Sequence, residues 1–201
     1  MIRAALAAVA LLTVSSVGCS RRESAAAAGT CPDGASLQGD APPKGNLQWC
    51  ARADGVKDGR WTEWHPNGHV KTEGQYAGGK MEGRWVTYFD TGVVKTAGVY
   101  SGGLKDGEWL TNYEDGKKNR LDVHHAGTSE VPWTVWREDG SLWAKGTDIA
   151  SQSDGDYTEW YPNGQVAAQG RYEHGVKVGK WSYFDAQGNA SATAQGDYGK
   201  K

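Results

Sequence analysis

The chain has few of the side chains that often fill a helical core. Only 2 Phe and 2 Met occur among its 201 residues, and no helical period follows the first twenty residues. It also lacks an excess of one charge, since the formal net charge is −2. No basic stripe of the kind that contacts phosphates is visible. These absences argue against a helix bundle and against nucleic acid as a partner.

Glycine and tryptophan are abundant instead, with 29 Gly and 10 Trp. Glycine at this density costs backbone entropy unless turns or close backbone contacts require it. Tryptophan supplies a large buried area from few residues. A chain with many turns and few, large apolar side chains is typical of an all-β meander.

The N-terminal segment has the features of an export signal. Arg3 precedes an apolar run over residues 4–14, and small residues then lead to Cys19. The run is too short to span a bilayer, but it has the length of the apolar part of a signal peptide. Residues 16–19 resemble the end of a bacterial lipoprotein signal, which implies that Cys19 becomes the first residue of the mature chain and carries lipid.

We therefore expect a signal peptide over residues 1–18, a flexible tether over residues 19–30 and a lipid anchor in the cell envelope, because several acyl chains hold a protein stably at a membrane. Ser20 follows the cysteine in place of Asp, which by analogy with lipoprotein sorting favours the outer membrane. Cleavage at a site without lipid, giving a secreted protein, is the alternative.

Two cysteines remain if Cys19 takes lipid, and an oxidising compartment would pair Cys31 with Cys50. The segment between them is rich in proline and glycine and has no helix or strand pattern over most of its length. Closing a loop of this size stabilises a fold by roughly 3 kcal/mol. We expect residues 31–51 to form a disulfide-closed cap in front of a repeat domain over residues 52–199.

The repeat has a period of 24 residues. One aromatic position recurs at Trp61, Trp85, Trp109, Trp133, Tyr157 and Trp181. Glycine is invariant in a second register, at Gly68, Gly92, Gly116, Gly140, Gly164 and Gly188. An acid followed by glycine recurs at Asp58, Glu82, Asp106 and Asp154, whereas Glu130 in the same register precedes Val131. Gly-x-Tyr forms a fourth register, at Gly74/Tyr76, Gly98/Tyr100 and Gly170/Tyr172. Self-similarity of this kind indicates a repeat architecture.

Each unit is predicted to form one β-hairpin, with strands at residues 60–65 and 69–77 joined by a tight turn at 66–68. Asn-Gly suits a turn whose two central residues both take a positive φ. The sequence thus predicts an elongated, twisted antiparallel meander of eleven or twelve strands, in which each hairpin packs mainly on its neighbours. Trp61 and Trp64 are three residues apart, so either both faces carry aromatic side chains or a bulge redirects one of them.

The unit Gly59-x-Trp61-x-x-Trp64-x-x-Asn67-Gly68, followed by Gly74-x-Tyr76-x-x-Gly79-x-x-x-Gly83, resembles the bacterial variant of the MORN repeat (membrane occupation and recognition nexus). The resemblance covers about residues 52–199. It implies a single-layer antiparallel sheet that serves as a scaffold or binds partners and has no catalytic residues. Some bacterial members are antitoxin-like, so an antitoxin-like binding protein is an alternative.

The sequence has no motif for a catalytic serine or a phosphate-binding loop. His65 and His69 lack a third ligand nearby, and the adjacent His124 and His125 would point to opposite faces of a strand. The acids of the third register lie two strands apart, or about 9–10 Å, which is too far to share a calcium ion. We therefore expect no catalytic site, no cofactor and no metal.

Two classes of function remain open: a scaffold for a protein partner at the cell envelope, and a glycan- or wall-binding module that uses the aromatic registers for stacking. An exposed aromatic stripe would favour the glycan, and buried aromatic residues would favour the protein. The repeat decays over residues 117–132, where Pro132 fits an edge or a bulge. It decays again at Asp148. One interpretation of the decay is drift in a tolerant loop, and the other is a specific partner patch around His124, Glu130 and Asp148.

Overall fold

A computed structural model describes residues 30–191 and 196–199 of the chain. Within these ranges there is no helix, and the chain folds into fifteen β-strands. The described residues from Cys31 onward belong to one compact unit. The predicted signal peptide, the tether up to residue 29 and the lipidation site Cys19 lie outside the described residues.

The strands are β1 (Ala35–Asp40), β2 (Leu47–Arg52), β3 (Lys57–Trp64), β4 (Val70–Ala77), β5 (Lys80–Tyr88), β6 (Val94–Ser101), β7 (Leu104–Asn112), β8 (Lys118–His124), β9 (Glu130–Trp136), β10 (Leu142–Ile149), β11 (Gln152–Ser153), β12 (Gly155–Trp160), β13 (Val166–Glu173), β14 (Val176–Tyr183) and β15 (Gly196–Tyr198). Each strand pairs antiparallel with its neighbours in the chain, except that β11 pairs only with β10, which also pairs with β12. The predicted all-β antiparallel meander is confirmed. The number of strands is larger than predicted because β1, the two-residue β11 and β15 have no clear pattern in the sequence.

The turn within each hairpin differs from the predicted one. Gly68 N donates to His65 O at 2.9 Å, and only the glycine has a positive φ, +86°. Asn67 is not among the described residues with positive φ. This fits a type I turn closed by a left-handed glycine rather than a turn with two left-handed residues. Every glycine of the second register has a φ of 84–86°, so the register is invariant because each hairpin needs a left-handed residue there.

Trp61 and Trp64 of the first unit lie on opposite faces of the sheet. Trp61 lies opposite Gly74 and Trp64 lies opposite Val70, with a shift of one residue in β4 between the two pairs. Directly opposed residues of an antiparallel pair share a face, and successive residues of a strand alternate. We call the side that carries Trp61 the tryptophan face and the other side the back face.

On the tryptophan face, three rings of the main aromatic register, which we call the regular tryptophans, each lie over a glycine of the preceding strand. A Cβ at Gly98 would lie 2.2 Å from Cδ2 of Trp109, so no larger residue fits without moving the ring. The Trp109 Nε1 donates to Val99 O at 3.1 Å. The same arrangement places Trp85 over Gly74 and Trp181 over Gly170.

These rings form the core of the first half of the sheet. Neighbouring ring centroids lie 4.9–6.5 Å apart along the row Trp49, Trp61, Tyr76, Trp85, Tyr100, Trp109 and His124. Trp85 is 4% exposed, Trp109 8% and Trp181 0%. Lysine ammonium groups lie over Trp61 and Trp109 of this row and over Trp181 in the second half of the sheet, 4.2–4.4 Å from the ring centroids. Three rings of the main aromatic register are therefore buried, whereas Trp61, Trp133 and Tyr157 are half-buried.

Side chains at both ends of the strands bond the backbone of the following unit. One end carries the turns within the hairpins and the other carries the turns that connect them, and we call these two ends the edges. At the edge formed by the hairpin turns, Tyr113 Oη donates to Trp136 O at 2.8 Å, and Asn67 Nδ2 donates to Asp90 O at 2.7 Å. At the opposite edge, the acids of the third register accept backbone N–H groups twenty residues further along the chain. The donors are Gly78 for Asp58, Gly102 for Glu82, Ala126 for Asp106 and His174 for Asp154. These acids thus cap the next connecting turn, which sequence reasoning did not foresee.

The N-terminal cap pairs β1 with β2 and is joined by a disulfide. Cys31 and Cys50 are bonded, with their Cα atoms 5.5 Å apart, and Cys50 is 2% exposed. Pro32 lies against the next strand, since a Cβ at Gly59 would come within 2.5 Å of its Cδ. Sequence reasoning missed β1, because its residues alternate weakly and only Leu37 is a large apolar side chain.

The packing of tryptophan on glycine predicts a graded loss of stability. Trp109→Ala should lower the free energy of unfolding by about 3–5 kcal/mol, as for other large buried aromatics. Gly98→Ala should cost about 1–3 kcal/mol because its Cβ overlaps the Trp109 ring. Trp143→Ala is the control, and should cost below about 1 kcal/mol because this side chain is 45% exposed. Urea denaturation measures all three; equal losses for Trp109→Ala and Trp143→Ala would contradict the burial of the register.

Candidate functional site

The packing of tryptophan on the preceding glycine changes in the middle of the sheet. Asp122 stands in the glycine register, directly opposite Trp133 of β9. The Trp133 ring lies over Gly146 of the following strand instead, where a Cβ would lie 2.7 Å from Cζ2. Its Nε1 donates to the Asp148 carboxylate at 3.0 Å rather than to a backbone carbonyl. The Trp133 ring thus packs on the following strand, β10, and not on the preceding strand, β8.

Arg120 connects the polar groups that replace the regular packing. Its guanidinium lies 2.7 Å from Oδ1 of Asp122 and 3.3 Å from Oδ2 of Asp148. The same group lies 4.9 Å from the centroid of the Trp133 ring. Asp148 also accepts a hydrogen bond from Ser153 Oγ at 3.2 Å. A half-buried network of charges therefore holds β8, β9 and β10 together on the tryptophan face.

Backbone pairing between β8 and β9 is short. It runs from Arg120 opposite Val135 to Asp122 opposite Trp133, whereas β4 and β5 pair as far as Ala77. Pro132 lies opposite Thr147 of β10, directly beyond the point where pairing with β8 ends. A residue without an N–H fits where backbone pairing stops. The ends of β8 and β9 next to their connecting turn are therefore unpaired.

The three predicted patch residues occupy different positions. His124 lies on the tryptophan face, 6.5 Å from Trp109 by ring centroids. Asp148, opposite Val131, lies on the same face as Trp133. Glu130 is exposed, and its position opposite Ile149 puts it on the back face. The structure thus places His124 and Asp148 on one side of the sheet and Glu130 on the other.

Glu130 also does not cap the next turn as the other acids of its register do. Ala150 N, twenty residues further on, donates to Ser129 O at 3.1 Å instead. Ala150 and Ser151 both have positive φ, 49° and 66°. They stand where the regular units have paired glycines at residues 78–79. The connection after β10 is therefore irregular, and it lies at the same ends of the strands as the unpaired residues of β8 and β9.

No group of three or more His, Cys, Asp or Glu side chains in the described part of the chain is placed to hold a metal ion. His65 and His69 each contact a backbone carbonyl of the next unit, at Tyr88 O and Asp90 O. Residues 30–191 and 196–199 include no helix long and apolar enough to cross a membrane.

Sequence reasoning found the decayed units but missed Arg120, which organises them. The available signal was Asp122 in a register otherwise held by glycine, because a ring that covers glycine cannot cover a larger side chain. The position that the Trp133 ring takes instead depends on Gly146 in the next strand and on the Asp148 carboxylate. Those long-range neighbours are not apparent from the local pattern.

The burial of His124 predicts a pH dependence. Burial first, and then the positive charge of Lys105, lower the pKa of His124. The neutral ring therefore contributes stability that is fully present above the ordinary imidazole pKa of about 6.5 and is lost as pH falls through the lower folded value. His124→Tyr introduces the residue of the regular units and removes this titration. The free energy of unfolding should fall more steeply between about pH 7 and pH 5 for the unmodified chain than for the variant. Parallel curves in urea denaturation would contradict the assignment.

Two segments of the chain match the family described as MORN repeat variant, at residues 57–77 and 153–174. The first spans β3 and β4, and the second spans β12 and β13. No curated protein gives a significant match to the chain. The matched segments share their turn geometry and their place in the meander with the hairpins between them. The hairpins at residues 57–77 and 153–174 match the variant MORN repeat, and they lie in a sheet of further hairpins of the same period.

Proposed function

We propose that the chain is a non-enzymatic repeat scaffold that binds a protein partner at the cell envelope. MORN repeats are generally associated with protein or membrane interaction and are generally non-enzymatic. The observation that carries the proposal is the burial of three of the six rings of the main aromatic register, the other three being half-buried. Trp85, Trp109 and Trp181 are at most 8% exposed. Rings buried in this way build the sheet and are not available as a stacking platform for sugars.

The partner is proposed to bind the irregular middle of the tryptophan face, at His124 and Asp148. Regular units present closely similar surfaces, so a specific partner needs a feature that only part of the repeat array has. The network of Arg120, Asp122 and Asp148 supplies fixed charges at this place. Glu130 would contribute only to contacts on the back face.

A segment exchange tests this surface. Replacing residues 118–131 with the sequence of residues 94–107 restores Gly, Tyr and Gly at the three altered register positions. The exchanged chain should fold and lose its protein partner when captured from its own cells. Replacing residues 70–83 with the same sequence is the matched control, because both segments are regular, and it should retain the partner. Retention of the partner by both chains would contradict the proposed surface.

A glycan- or wall-binding module is the second candidate. Half-buried aromatic residues on the back face favour it, in a register that Asn112 interrupts: Trp64, Tyr88, Trp136, Trp160 and Phe184. Stacking of sugars needs such partly accessible rings. Capture of wall polymer without any protein would favour this candidate over the scaffold.

We also propose that the scaffold is anchored by lipid on Cys19, in the outer membrane. The support comes from the apolar run of residues 4–14 and the small residues before the cysteine. A pair of bonded cysteines, Cys31 and Cys50, agrees with an oxidising compartment. Secretion without an anchor is the alternative.

Cys19→Ala should move the protein from the membrane fraction to soluble or unprocessed material, because the acyl chains that hold it there cannot be attached. Metabolic labelling with a fatty acid and fractionation of membranes measure the change. Cys31→Ala is the control, since it alters a cysteine that lies in the cap, and it should leave the lipid in place. A Cys19→Ala protein that is processed normally and stays in the membrane would contradict the anchor.

A further inference from the structure

Trp143 differs from the tryptophans of the main register in both position and exposure. It occupies the bulge of β10, between Leu142 opposite Trp136 and Ala144 opposite Val135. The other hairpins carry small or polar residues at this bulge, namely Lys71, Lys95, Asn119 and Ala167. The Trp143 side chain is 45% exposed. Because small or polar residues fill this position in the other hairpins, a large exposed ring is not needed to build the repeat.

The ring lines a recess of about 480 Å³ on the side of the hairpin turns. Tyr113, Arg137, Glu138 and Asp139 form the rest of its lining, and we call it the Trp143 recess. The ring is held in place, because Trp143 Nε1 donates to Glu159 Oε1 at 3.1 Å. The recess thus presents an oriented aromatic surface to solvent.

Carboxylates outnumber cations around the Trp143 recess. Glu138 and Asp139 are exposed in the turn beside the ring, and the Glu138 carboxylate accepts no hydrogen bond from the described residues. Arg137 directs its guanidinium at two backbone carbonyls, Leu142 O at 3.0 Å and Trp160 O at 2.6 Å, and its Cζ lies 5.8 Å from the centroid of the Trp143 ring. Its donors are therefore partly occupied, and the local charge favours a cationic ligand.

The preceding turn extends this negative charge. It adds the exposed Glu114 and Asp115. Lys117 connects the two turns, with its Nζ 2.8 Å from Asp115 Oδ2 and 2.9 Å from Glu138 O. A chain that crosses both turns would meet four carboxylates and one lysine in addition to Arg137. This arrangement suits a ligand longer than a single side chain.

We propose that the Trp143 recess binds a basic segment of the protein partner, with a Lys or Arg side chain over the Trp143 ring and its charge between Glu138 and Asp139. The inference rests on the proposed function and adds the chemistry of the partner. Cations bind favourably over the face of tryptophan, and tryptophan is enriched among the residues that carry most of the energy of protein interfaces. A neutral sugar would use the ring but would gain little from the surrounding charge.

The test uses the purified full chain and a fluorescent peptide of four Arg-Gly pairs, with binding measured by anisotropy. Trp143→Lys is the main variant, because lysine already occupies this bulge in two other hairpins. Glu138→Gln with Asp139→Asn removes the charge and keeps the ring. Glu108→Gln with Asp156→Asn is the matched control, since both residues are exposed acids of the back face. A peptide of four Glu-Gly pairs and a chitin hexasaccharide are the comparison ligands.

The Arg-Gly peptide should bind the unmodified chain and weaken as ionic strength rises, because exposed charges are screened by salt. Either site variant should weaken binding about tenfold, whereas the back-face control should not. Binding of the Arg-Gly peptide by either site variant as tight as by the unmodified chain would overturn the proposal, as would binding of the hexasaccharide with no binding of the basic peptide. If Trp143→Lys does not fold, the double variant decides alone. Failure here with a partner still captured from cells would refute only the recess, and the scaffold would stand.

Discussion

The structure depends on one steric requirement: the ring of each regular tryptophan occupies the space that a side chain of the preceding strand would need. Only glycine leaves that space free, and the ring of Trp109 over Gly98 shows how little remains. A single-layer sheet has no second layer to bury its apolar side chains. Placing each ring on its neighbouring strand solves this problem within the layer, and the indole N–H completes the contact by bonding that strand's backbone. Both partners must therefore recur together, and they do so every 24 residues.

The same requirement explains which features could be predicted. Tryptophan and glycine recur so regularly that the all-β meander and its hairpins can be inferred from spacing alone. The turn was predicted in the right place but with the wrong geometry, because Asn67-Gly68 permits two turn types and only the backbone angles distinguish them. The role of Asp58 was also missed, since its partner Gly78 N belongs to another turn twenty residues away. Features that depend on a neighbour distant in sequence were missed, and those repeated in the sequence were found.

The middle of the sheet shows what replaces the ring when glycine is absent. Because Asp122 stands where regular units have glycine, the Trp133 ring lies over the following strand. The Arg120 guanidinium lies beside the Asp122 carboxylate and the Trp133 ring. Charged groups at this depth must be paired, since an unpaired buried charge is costly. Here Arg120 has two carboxylates and an aromatic ring as partners. The irregular units therefore remain part of the sheet while presenting a surface that the regular units do not have.

The hydrogen bonds that the register acids and the turn residues make to the next unit point in one direction along the chain, whereas Asn112 Nδ2 at the end of β7 donates back to Val94 O. Asp58 bonds Gly78, Asn67 bonds Asp90, and in each case the side chain comes earlier than the backbone group it serves. The two ends of the repeat array therefore differ in the polar groups that they expose. Removing units from the C-terminal side exposes side chains that have lost their backbone partners, and removing them from the N-terminal side exposes backbone groups of the next turns that have lost their side-chain partners. During synthesis, which proceeds from the N-terminus, each new hairpin would meet a template that already carries the groups it needs, and growth of the sheet is favoured in the order in which the chain is made.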